Sequence, residues 1–326
     1  MNILVTGGAG YVGSIVTEEL LKQGYRAIVL DNLQQGHREA IPSGAELIVA
    51  DICQSKSLDT VFNQTKIDAV MHMAAETVVE YSMTDPKRYF RNNIVGGMNL
   101  LDTMLQYGVL KFIFSSSAAV YGEPDETPIS ENQPKVPVNS YGESKLIFEH
   151  ILYWYGRAYG LKYISLRYFN AAGASGQLGE DHHPESHLIP NLLKAASYGK
   201  SPVPIFGTDY PTKDGTCIRD YINVIDIAKA HVLALEKLDT LSSRVYNLGN
   251  GSGYSVFEVL DAAKRVTDTN IPTEILQARK GDPAVLVASS ARAEAELGWK
   301  PQCPELEDTI ESAWRWIKTH PNGYEQ

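Results

Sequence analysis

The first half of the chain alternates short apolar runs with longer stretches in which apolar positions recur every three to four residues. Such runs are typical of buried parallel strands, and such stretches of amphipathic helices. Their alternation favours an α/β fold with a doubly wound parallel sheet. The predicted strands cover residues 3–6, 27–30, 46–49, 69–72, 111–115 and 163–168. The predicted helices lie near 14–23, 57–64, 89–108 and 144–159.

The pattern changes after Asn170, where Gly, Pro, Asp and His become frequent and only residues 188–198 look helical before residue 217. A helix at 222–238 and a strand at 245–249 then resume the earlier alternation, and a helix, a short strand and more helix follow. We therefore expect two domains. The larger takes residues 1–170 and about 222–250 into the parallel sheet, and 171–221 with 251–326 form a smaller, loop-rich α/β lobe.

A glycine motif follows the first predicted strand and opens the first helix, with glycines at Gly7, Gly10 and Gly13. Glycines in this position let the backbone approach a pyrophosphate, which then lies at the helix N-terminus. Asp31 ends the second strand about 20 residues further on, where a carboxylate binds the ribose hydroxyls of a dinucleotide. The same carboxylate repels a 2′-phosphate, so the pair of signals predicts NAD(H) rather than NADP(H).

A second pattern indicates acid–base chemistry. Tyr141 and Lys145 are four residues apart at the predicted start of a helix, so their side chains share one face. A lysine ammonium beside a phenol favours the phenolate and makes the tyrosine usable in proton transfer. Ser115, Ser116 and Ser117 follow a strand and supply hydroxyls for the reacting oxygen.

The composition and charge of the chain bear on which classes of binding partner and which cellular location are expected. The 326 residues carry a net charge of −10 without a basic block, which argues against nucleic acid and acidic membranes. Three cysteines, far apart, fit no metal pattern and favour reduced thiols in a cytoplasmic protein. The chain begins on a predicted strand, so we expect no signal peptide, and no apolar run approaches a membrane span. The histidines at 182, 183 and 187 are interpreted as loop or pocket residues, and no metal is expected.

With these motifs in place, the chain resembles the extended short-chain dehydrogenases/reductases, which have a Rossmann fold, and among them the UDP-glucose (UDP-galactose) 4-epimerases. The resemblance runs from residue 1 to about residue 324. Its most specific stretch is 207–222, which general dehydrogenases do not carry. The other matching segments are 6–13, 30–33, 51–52, 114–122, 166–170, 179–181, 187–190, 246–249 and 320–324.

The resemblance implies a mechanism. Tyr141 takes the proton from the sugar 4-hydroxyl. Lys145 adjusts the pKa of Tyr141 and binds the nicotinamide ribose, and Ser117 hydrogen-bonds the reacting oxygen. Hydride passes from C4 to NAD, the 4-keto sugar turns in the pocket, and the hydride returns to the other face. UDP-galactose and UDP-glucose are thereby interconverted without net oxidation.

The resemblance also implies contact residues and an assembly. Cofactor contacts fall at Gly7, Gly10, Tyr11, Val12, Gly13, Asp31, Asn32, Asp51, Ile52, Met73, Ala74, Ala75, Asn92, Ser115, Tyr141, Lys145 and Tyr168. Substrate contacts fall at Ser117, Tyr141, Asn170, His187, Leu188, Phe206, Arg219, Arg279, Asp282 and Leu286. A homodimer would join through the helices near 89–107 and 144–159.

Some positions depart from the family. Met73 stands where many epimerases have phenylalanine, Thr77 where some have a lysine on the nicotinamide ribose, and Tyr81 where glutamate is usual. These three departures bear on how tightly NAD is bound, which the sequence does not determine. Leu286 takes the position that sets pocket size, between a bulky tyrosine and a small cysteine or serine. We expect the pocket to accept UDP-galactose and UDP-glucose well and N-acetylated analogues poorly.

Alternative functions differ in the acids that they need. Nucleotide-sugar dehydratases usually carry an Asp-Glu pair where this chain has Ala118 and Ala119, and UDP-glucuronate decarboxylases favour glutamate at the second position. Epimerisation of another UDP-sugar, a UDP-N-acetylhexosamine or UDP-xylose/arabinose, remains open because the C4 chemistry is identical. A non-catalytic NAD sensor would not need the set of Ser117, Tyr141 and Lys145.

Overall fold

The computed structural model describes residues 1–199, 201–241, 243–279 and 282–324. Its strands are β1 Asn2–Thr6, β2 Arg26–Asp31, β3 Glu46–Val49, β4 Ala69–His72, β5 Lys111–Ser117, β6 Lys162–Tyr168, β7 Asn170–Ala172, β8 Val203–Phe206, β9 Ile218–Arg219, β10 Tyr221–Asn223, β11 Arg244–Leu248, β12 Tyr254–Ser255, β13 Thr273–Leu276 and β14 Val285–Leu286. Its α-helices are α1 Tyr11–Lys22, α2 Ser55–Gln64, α3 Val79–Thr84, α4 Pro86–Tyr89, α5 Gly97–Gln106, α6 Ser140–Tyr159, α7 Leu188–Tyr198, α8 Val224–Lys237, α9 Val256–Thr267 and α10 Leu306–Thr319.

Within the described residues, a seven-stranded parallel sheet runs in the order β11-β6-β5-β4-β1-β2-β3. Alternate residues of each strand enter different cores. Ile3 and Val5 of β1 pack with α1 and α8 on one face, whereas Leu4 packs with α2, α5 and α6 on the other. Helices thus cover both faces, which confirms the predicted doubly wound fold.

The strand order reverses between β1 and β4. From β1 the chain adds strands in one direction through β2 and β3, and from β4 it adds them in the other direction through β5 and β6. A crevice opens at such a point beyond the carboxyl ends of the strands, and ligands bind there in folds of this kind. The ends of β1 and β4 meet because Thr6 pairs with His72, and Ser117 at the end of β5 pairs with Tyr168.

Smaller sheets lie outside this layer. Strand β7 pairs with β10, β8 pairs with β13, and β9 lies between β12 and β14. The division into residues 1–170 with about 222–250 and residues 171–221 with 251–326 stays a prediction. Strand β11 joins the large sheet, whereas β8 and β13 do not. Residues 200, 242, 280, 281, 325 and 326 fall inside those ranges but outside the described residues.

Several elements differ from the sequence prediction. Strand β5 continues through Ser117, and α6 begins at Ser140, with Asn139 accepting a hydrogen bond from the Gly142 amide as its N-cap. The helix expected at 89–108 is divided into α4, a π-helical segment Phe90–Gly96 and α5. The short strands β7–β10, β12 and β14 were not predicted, because strands of two to four residues carry little periodicity.

Candidate active site

The turn between β1 and α1 is shaped by glycines that press against other backbone. Gly7 has a φ of 72°, and a Cβ there would lie 2.5 Å from the backbone nitrogen of Ala74. A Cβ on Gly13 would lie 2.1 Å from the carbonyl oxygen of Gly7. A side chain at either position would displace the backbone, so these glycines keep β1, α1 and the segment after β4 in close contact.

The N-terminus of α1 fits an anion. The helix begins at Tyr11, with Gly10 as its N-cap and no capping side chain. The first N–H groups of a helix have no intrahelical acceptor and attract phosphate oxygens. The backbone at Tyr11 and Val12 therefore suits a pyrophosphate. The Tyr11 side chain does something else, since its hydroxyl donates to the Gly173 carbonyl at 2.6 Å and ties α1 to the segment after β7.

Asp31 is held at the end of β2 by backbone amides. One carboxylate oxygen accepts from the Ala9 amide at 3.0 Å, and the other accepts from the Leu33 amide at 2.9 Å. Burial raises the pKa of Asp31, and these hydrogen bonds oppose the rise. A carboxylate offers about four acceptor positions, so this one retains room for two hydroxyls. The neighbouring Asn32 side chain accepts from the Gln34 amide at 3.1 Å.

The predicted adenine side follows β3. The Asp51 side chain accepts a hydrogen bond from the Cys53 amide at 2.8 Å. The Ile52 side chain is buried in the core, and Gly96 packs so closely against it that a Cβ on Gly96 would lie 2.8 Å away. The Ile52 carbonyl accepts a hydrogen bond from the Asn99 side chain at 3.2 Å. Ile52 thus supplies an apolar wall that α5 and the π-helical segment hold in place.

The segment after β4 carries the predicted cofactor positions Met73, Ala74 and Ala75.

The sequence analysis missed Asn93, which connects the segment after β4 to the catalytic helix. Its side chain accepts from the Glu76 amide at 2.8 Å and donates to the Glu76 carbonyl at 3.1 Å and the Ser144 hydroxyl at 3.0 Å. The predicted Asn92 donates to the Asn93 oxygen at 3.1 Å. The adjacent asparagine pair was the only available signal.

Ser117, Tyr141 and Lys145 converge at the carboxyl end of β5. Ser117 ends the strand and accepts a hydrogen bond from the Ala119 amide at 3.1 Å, and its hydroxyl acts to lower the pKa of Tyr141. Tyr141 lies in the first turn of α6, with the Lys145 Nζ 5.8 Å from the centre of its ring. That Nζ donates to the Ser115 carbonyl at 2.8 Å. The structure thus brings the three predicted catalytic residues together.

The electrostatics of these groups depend on their burial. Burial raises the pKa of Tyr141, and the hydrogen bond with Ser117 opposes the rise. Burial lowers the pKa of Lys145 to about 7, and Glu149 opposes that change. Burial disfavours the phenolate and the ammonium alike, so the effect of Lys145 on Tyr141 expected from the sequence stays a prediction.

Buried polar contacts hold the end of β5 from both faces of the sheet. The Ser115 hydroxyl lies 3.0 Å from Nε2 of His231 in α8. On the other face, the Ser116 hydroxyl donates to Glu149 of α6 at 2.6 Å. Arg167 of β6 binds both carboxylate oxygens of Glu149, with its Nε at 2.9 Å. The sequence analysis missed Glu149, although it lies one helical turn after the predicted lysine.

Two further predicted contact residues, Tyr168 and Asn170, lie at the carboxyl end of β6 and at the start of β7. Burial raises the pKa of Tyr168 at the end of β6, and a hydrogen bond with Ser115 opposes the rise. Asn170 opens β7, and its amide donates to the Asp220 carbonyl at 2.9 Å. The buried Asp220 side chain, which the sequence analysis did not single out, organises the surrounding loops by accepting from the amides of Asn250, Gly251 and Ala288.

Two arginines predicted to contact the substrate lie in and beside the smaller sheets: Arg219 is in β9, and Arg279 follows β13. The Arg219 guanidinium donates to the Ile218 carbonyl at 2.9 Å and lies 3.4 Å from an oxygen of Asp282. The Arg279 guanidinium lies over the Phe206 ring, 3.9 Å from its centre, in a cation–π contact. Guanidinium groups held in this way suit the paired oxygens of a diphosphate.

Leu286 connects the arginines to the catalytic residues. Strand β14 pairs with β9 so that Leu286 lies opposite Arg219. Its side chain also packs against a buried cluster that includes Ala118 and Leu146. These two residues are chain neighbours of the catalytic serine and lysine, so Leu286 lies between the two parts of the site.

His187 and Leu188 lie at the start of α7, with His187 as the N-cap. The His187 Nδ1 is hydrogen-bonded to buried Glu180. Burial lowers the pKa of His187, but Glu180 and Glu185 outweigh it and raise the pKa to about 9, with Arg279 opposing. Arg279 is therefore close enough to His187 for their charges to interact, and the structure brings these two predicted substrate positions into one region.

The geometry agrees with comparisons to known proteins. Residues 3–249 match the NAD dependent epimerase/dehydratase family. The chain belongs to this family. Among relatives, a UDP-glucose 4-epimerase of Halalkalibacterium halodurans is 52% identical over 327 residues, which cover 99% of this chain and 98% of that protein.

Solved structures of the NAD-dependent epimerase/dehydratase type are also similar to the whole chain. A crystal structure of a UDP-glucose 4-epimerase has a TM-score of 0.97 and 48% identity, with 100% of both chains covered. The Bifidobacterium longum UDP-glucose 4-epimerase, solved with NAD⁺ and UDP, has a TM-score of 0.95 and 38% identity and covers 99% of this chain and 100% of its own. The family and the NAD cofactor expected from the sequence are confirmed. None of the helices in the described part of the chain has the length and apolarity needed to cross a bilayer.

Proposed function

We propose that the protein interconverts UDP-galactose and UDP-glucose by epimerisation at C4 of the hexose, with NAD as bound cofactor. The observation that carries this function is the convergence of Ser117, Tyr141 and Lys145 at the carboxyl end of β5, beside the crevice where the strand order reverses. The similar UDP-glucose 4-epimerase of Halalkalibacterium halodurans, matched over 99% of this chain, supports the choice of substrate.

The residues of the crevice fit the proposed cofactor. Close packing at Gly7 and Gly13 leaves the open N-terminus of α1 for the pyrophosphate. The two remaining acceptor positions of Asp31 suit the adenosine ribose, and Lys145 suits the nicotinamide ribose. A bound NAD would supply the hydride acceptor and donor for the sugar C4.

Tyr141 moves the proton in the proposed reaction. Its phenolate takes the proton of the sugar 4-hydroxyl during oxidation, and the phenol so formed returns that proton to the 4-oxygen after the ketone has turned over. The Ser117 hydroxyl donates a hydrogen bond to that oxygen in either orientation of the ring. Because burial raises the pKa of Tyr141, proton removal depends on the charges that the site gathers around the phenol. Lys145, fixed on the Ser115 carbonyl, is the cation that the chain itself supplies.

The arginines hold the nucleotide end of the substrate while the hexose stays loose. Arg219 is oriented by Asp282, and Arg279 is oriented by the Phe206 ring. Anchoring at the diphosphate leaves the hexose free to present either face to the cofactor. Asn170, His187 and Leu188 complete the proposed substrate contacts.

We also propose a homodimer and a cytoplasmic location without nucleic-acid partners. The dimer is supported by exposed apolar side chains on the helices named from the sequence. Val95 and Met98 lie on the π-helical segment and α5, and Tyr153 and Trp154 lie on α6. Tyr155 of α6 donates to Asp102 of α5 at 2.6 Å, which holds the two helices side by side.

The function is tested by incubating the purified protein with UDP-galactose and measuring UDP-glucose by chromatography. We expect conversion to an equilibrium mixture by the wild-type protein. In Tyr141→Phe the turnover number should fall by about 10²–10⁴-fold, because a positioned acid–base group is lost. Circular dichroism and UDP-sugar binding should not change.

Tyr25→Phe is the matched control, since it removes a phenol from the turn between α1 and β2 and should leave turnover intact. Near-normal conversion by Tyr141→Phe would contradict the role of this residue. A wild-type protein that binds NAD but leaves UDP-galactose unchanged would contradict the proposed function.

A further inference from the structure

The proposed substrate contact His187 has a side chain that is tied to a buried acid. Its Nδ1 is hydrogen-bonded to an oxygen of Glu180. The Glu180 side chain is 6% exposed, whereas the His187 side chain lies at the boundary with solvent and is 53% exposed. Because Glu180 takes up Nδ1, Nε2 is the ring nitrogen that is left for a ligand.

A second acid fixes the backbone at His187. One oxygen of Glu185 accepts hydrogen bonds from the amides of Ser186 at 2.8 Å and His187 at 2.9 Å. Its other oxygen lies 3.9 Å from the Lys194 Nζ. The two acids therefore act on different parts of the same residue, since Glu185 holds the start of α7 and Glu180 orients the imidazole.

The surroundings of His187 favour the charged form of its ring. Burial lowers the pKa of His187, but Glu180 and Glu185 outweigh it and raise the pKa to about 9, with Arg279 opposing. Burial raises the pKa of Glu180, but His187 and His182 outweigh it and lower the pKa to about 2. The His182 ring also faces His187 and meets its ring edge-on at 5.3 Å. At neutral pH the pair is therefore an imidazolium and a carboxylate.

This imidazolium lies in the same region as the two arginines of the proposed substrate site. The charge of Arg279 is close enough to His187 to affect its pKa. Leu188, the next residue, packs in a cluster that contains the buried Cys217. Burial raises the pKa of the Cys217 thiol, and the nearby Arg219 and Arg279 oppose the rise. Three cationic side chains are thus gathered around the start of α7.

A cation at this place is unfavourable unless an anion binds there. His187 is the N-cap of α7, where the positive end of the helix dipole repels positive charge. Arg279 repels the imidazolium as well. A bound anion would remove both costs, because it would be attracted by the ring, the arginine and the helix end together.

We propose that His187, oriented by Glu180, binds the diphosphate of the UDP-sugar as a third cation beside Arg219 and Arg279. The inference rests on the proposed function and gives one of its substrate contacts a charge and a target. The imidazolium donates through Nε2 to a phosphate oxygen, in a charge-assisted hydrogen bond. Glu180 is a positioning residue, since it acts on the diphosphate only through His187.

The test measures UDP-glucose binding against pH and does not depend on turnover. The NAD-containing protein is titrated in a calorimeter from about pH 6 to about pH 9.5, which spans the ordinary and the raised pKa of a histidine. The variant His187→Asn keeps a good N-cap but has no charge. We expect it to bind UDP-glucose about tenfold more weakly at pH 7. Uridine, which has no diphosphate, should bind the two proteins equally.

The pH profile tests the role of Glu180. Each profile is divided by that of the same chain carrying His187→Asn, so that the titration of other groups and of the ligand cancels. The wild-type ratio should be constant at neutral pH and fall as pH rises through about 9, where the imidazolium loses its proton. In Glu180→Gln the fall should begin about one pH unit lower or more, because the charge that raises the His187 pKa is gone.

His183→Asn is the matched control. His183 lies in the same loop, but its side chain is 72% exposed and its near acid is Asp181. The control should bind UDP-glucose like the wild type at every pH, and all variants should retain NAD. Circular dichroism checks folding, and the comparison of UDP-glucose with uridine in His187→Asn decides the question if Glu180→Gln is unfolded.

Three results would overturn the proposal: equal UDP-glucose affinity in the wild type and His187→Asn, an equal loss of uridine binding, or a fall in the ratio that Glu180→Gln does not move. Each of them is compatible with conversion of UDP-galactose by the wild type, so the proposed function would stand. Failure of the wild type to bind any UDP-sugar would contradict the function itself.

Discussion

At the scale of single residues, Leu286 has the most direct bearing on which hexoses the site accepts. It lies opposite Arg219 and packs against the cluster that contains Ala118 and Leu146. Its neighbours are therefore fixed by the sheet pairing on one side and by the catalytic helix on the other. Because both contacts are fixed, the size of the side chain at position 286 should change the space left for the sugar more than it would in a free loop.

We predict that UDP-galactose is converted well and UDP-N-acetylgalactosamine poorly, and that Leu286→Ser narrows the difference. Serine opens space for the acetamido group, whereas Leu286→Tyr should widen the difference. A fit that differs by one or two methylenes is worth about 1–3 kcal/mol, so an incomplete barrier is expected. The measurement is kcat/KM for both sugars in each variant.

Leu110→Ser is a matched control, because Leu110 is exposed before β5 and away from the site. It should leave the ratio of the two kcat/KM values unchanged. Equal values for the two sugars in the wild type, or a ratio that Leu286→Ser does not alter, would remove Leu286 as the residue that sets pocket size.

At the scale of elements, the junction of β5, β6 and α6 positions the catalytic residues. Glu149 joins all three, since it lies on α6, accepts from Ser116 of β5 and pairs with Arg167 of β6. It also opposes the lowering of the Lys145 pKa. Glu149 is therefore a positioning residue that acts on the site through its neighbours.

Glu149→Gln should move the alkaline limb of the kcat–pH profile to lower pH. Burial already lowers the pKa of Lys145 to about 7, and the Glu149 charge opposes that change. Removing the charge lowers the pKa further, so the ammonium is lost at a lower pH. The variant should also be less stable by about 3–5 kcal/mol, because the buried Arg167 loses its partner. Stopped assays across pH and thermal unfolding measure the two effects.

Glu143→Gln, in the first turn of the same helix, is the control for helix composition and should leave the pH profile in place. A loss of stability without any shift of the profile in Glu149→Gln would show that Glu149 only supports packing.

At the scale of the whole molecule, exposed apolar side chains on one pair of helices bear on how the protein assembles. Trp154 is 65% exposed, and Tyr153, Met98 and Val95 are exposed on the same pair of helices. Exposed apolar groups of this size mark an interaction surface when they cluster. This surface is formed by the solvent-facing sides of α5 and α6. A second copy of the chain bound there would support α6, the helix that carries Tyr141.

We predict that light scattering gives the mass of a dimer and that Trp154→Glu shifts the equilibrium towards monomer. A central tryptophan in an interface typically contributes about 2 kcal/mol or more. Ile275→Glu, at an exposed apolar residue of β13, is the control and should not change the mass. A monomeric wild-type protein at all concentrations would contradict the dimer.

The sequence alone was sufficient for features that depend on local periodicity and spacing. Strands β1, β2, β4, β5 and β6 were recognised because apolar residues buried between two helical layers form continuous runs. Strand β3 was recognised from a similar run, although it lies at the edge of the sheet and its side chains are half-buried or exposed. The glycine turn, Asp31, Tyr141 and Lys145 were recognised because their roles depend on residue type at a fixed spacing along one or two elements. The resemblance to the family followed from those positions together with the more specific stretch 207–222.

Only the tertiary structure decided which distant groups share a buried environment. The pairs Glu149 with Arg167 and Asn93 with Glu76 join separate elements, and no local period marks them. The sign of the Tyr141 pKa shift depended on burial, which spacing does not report.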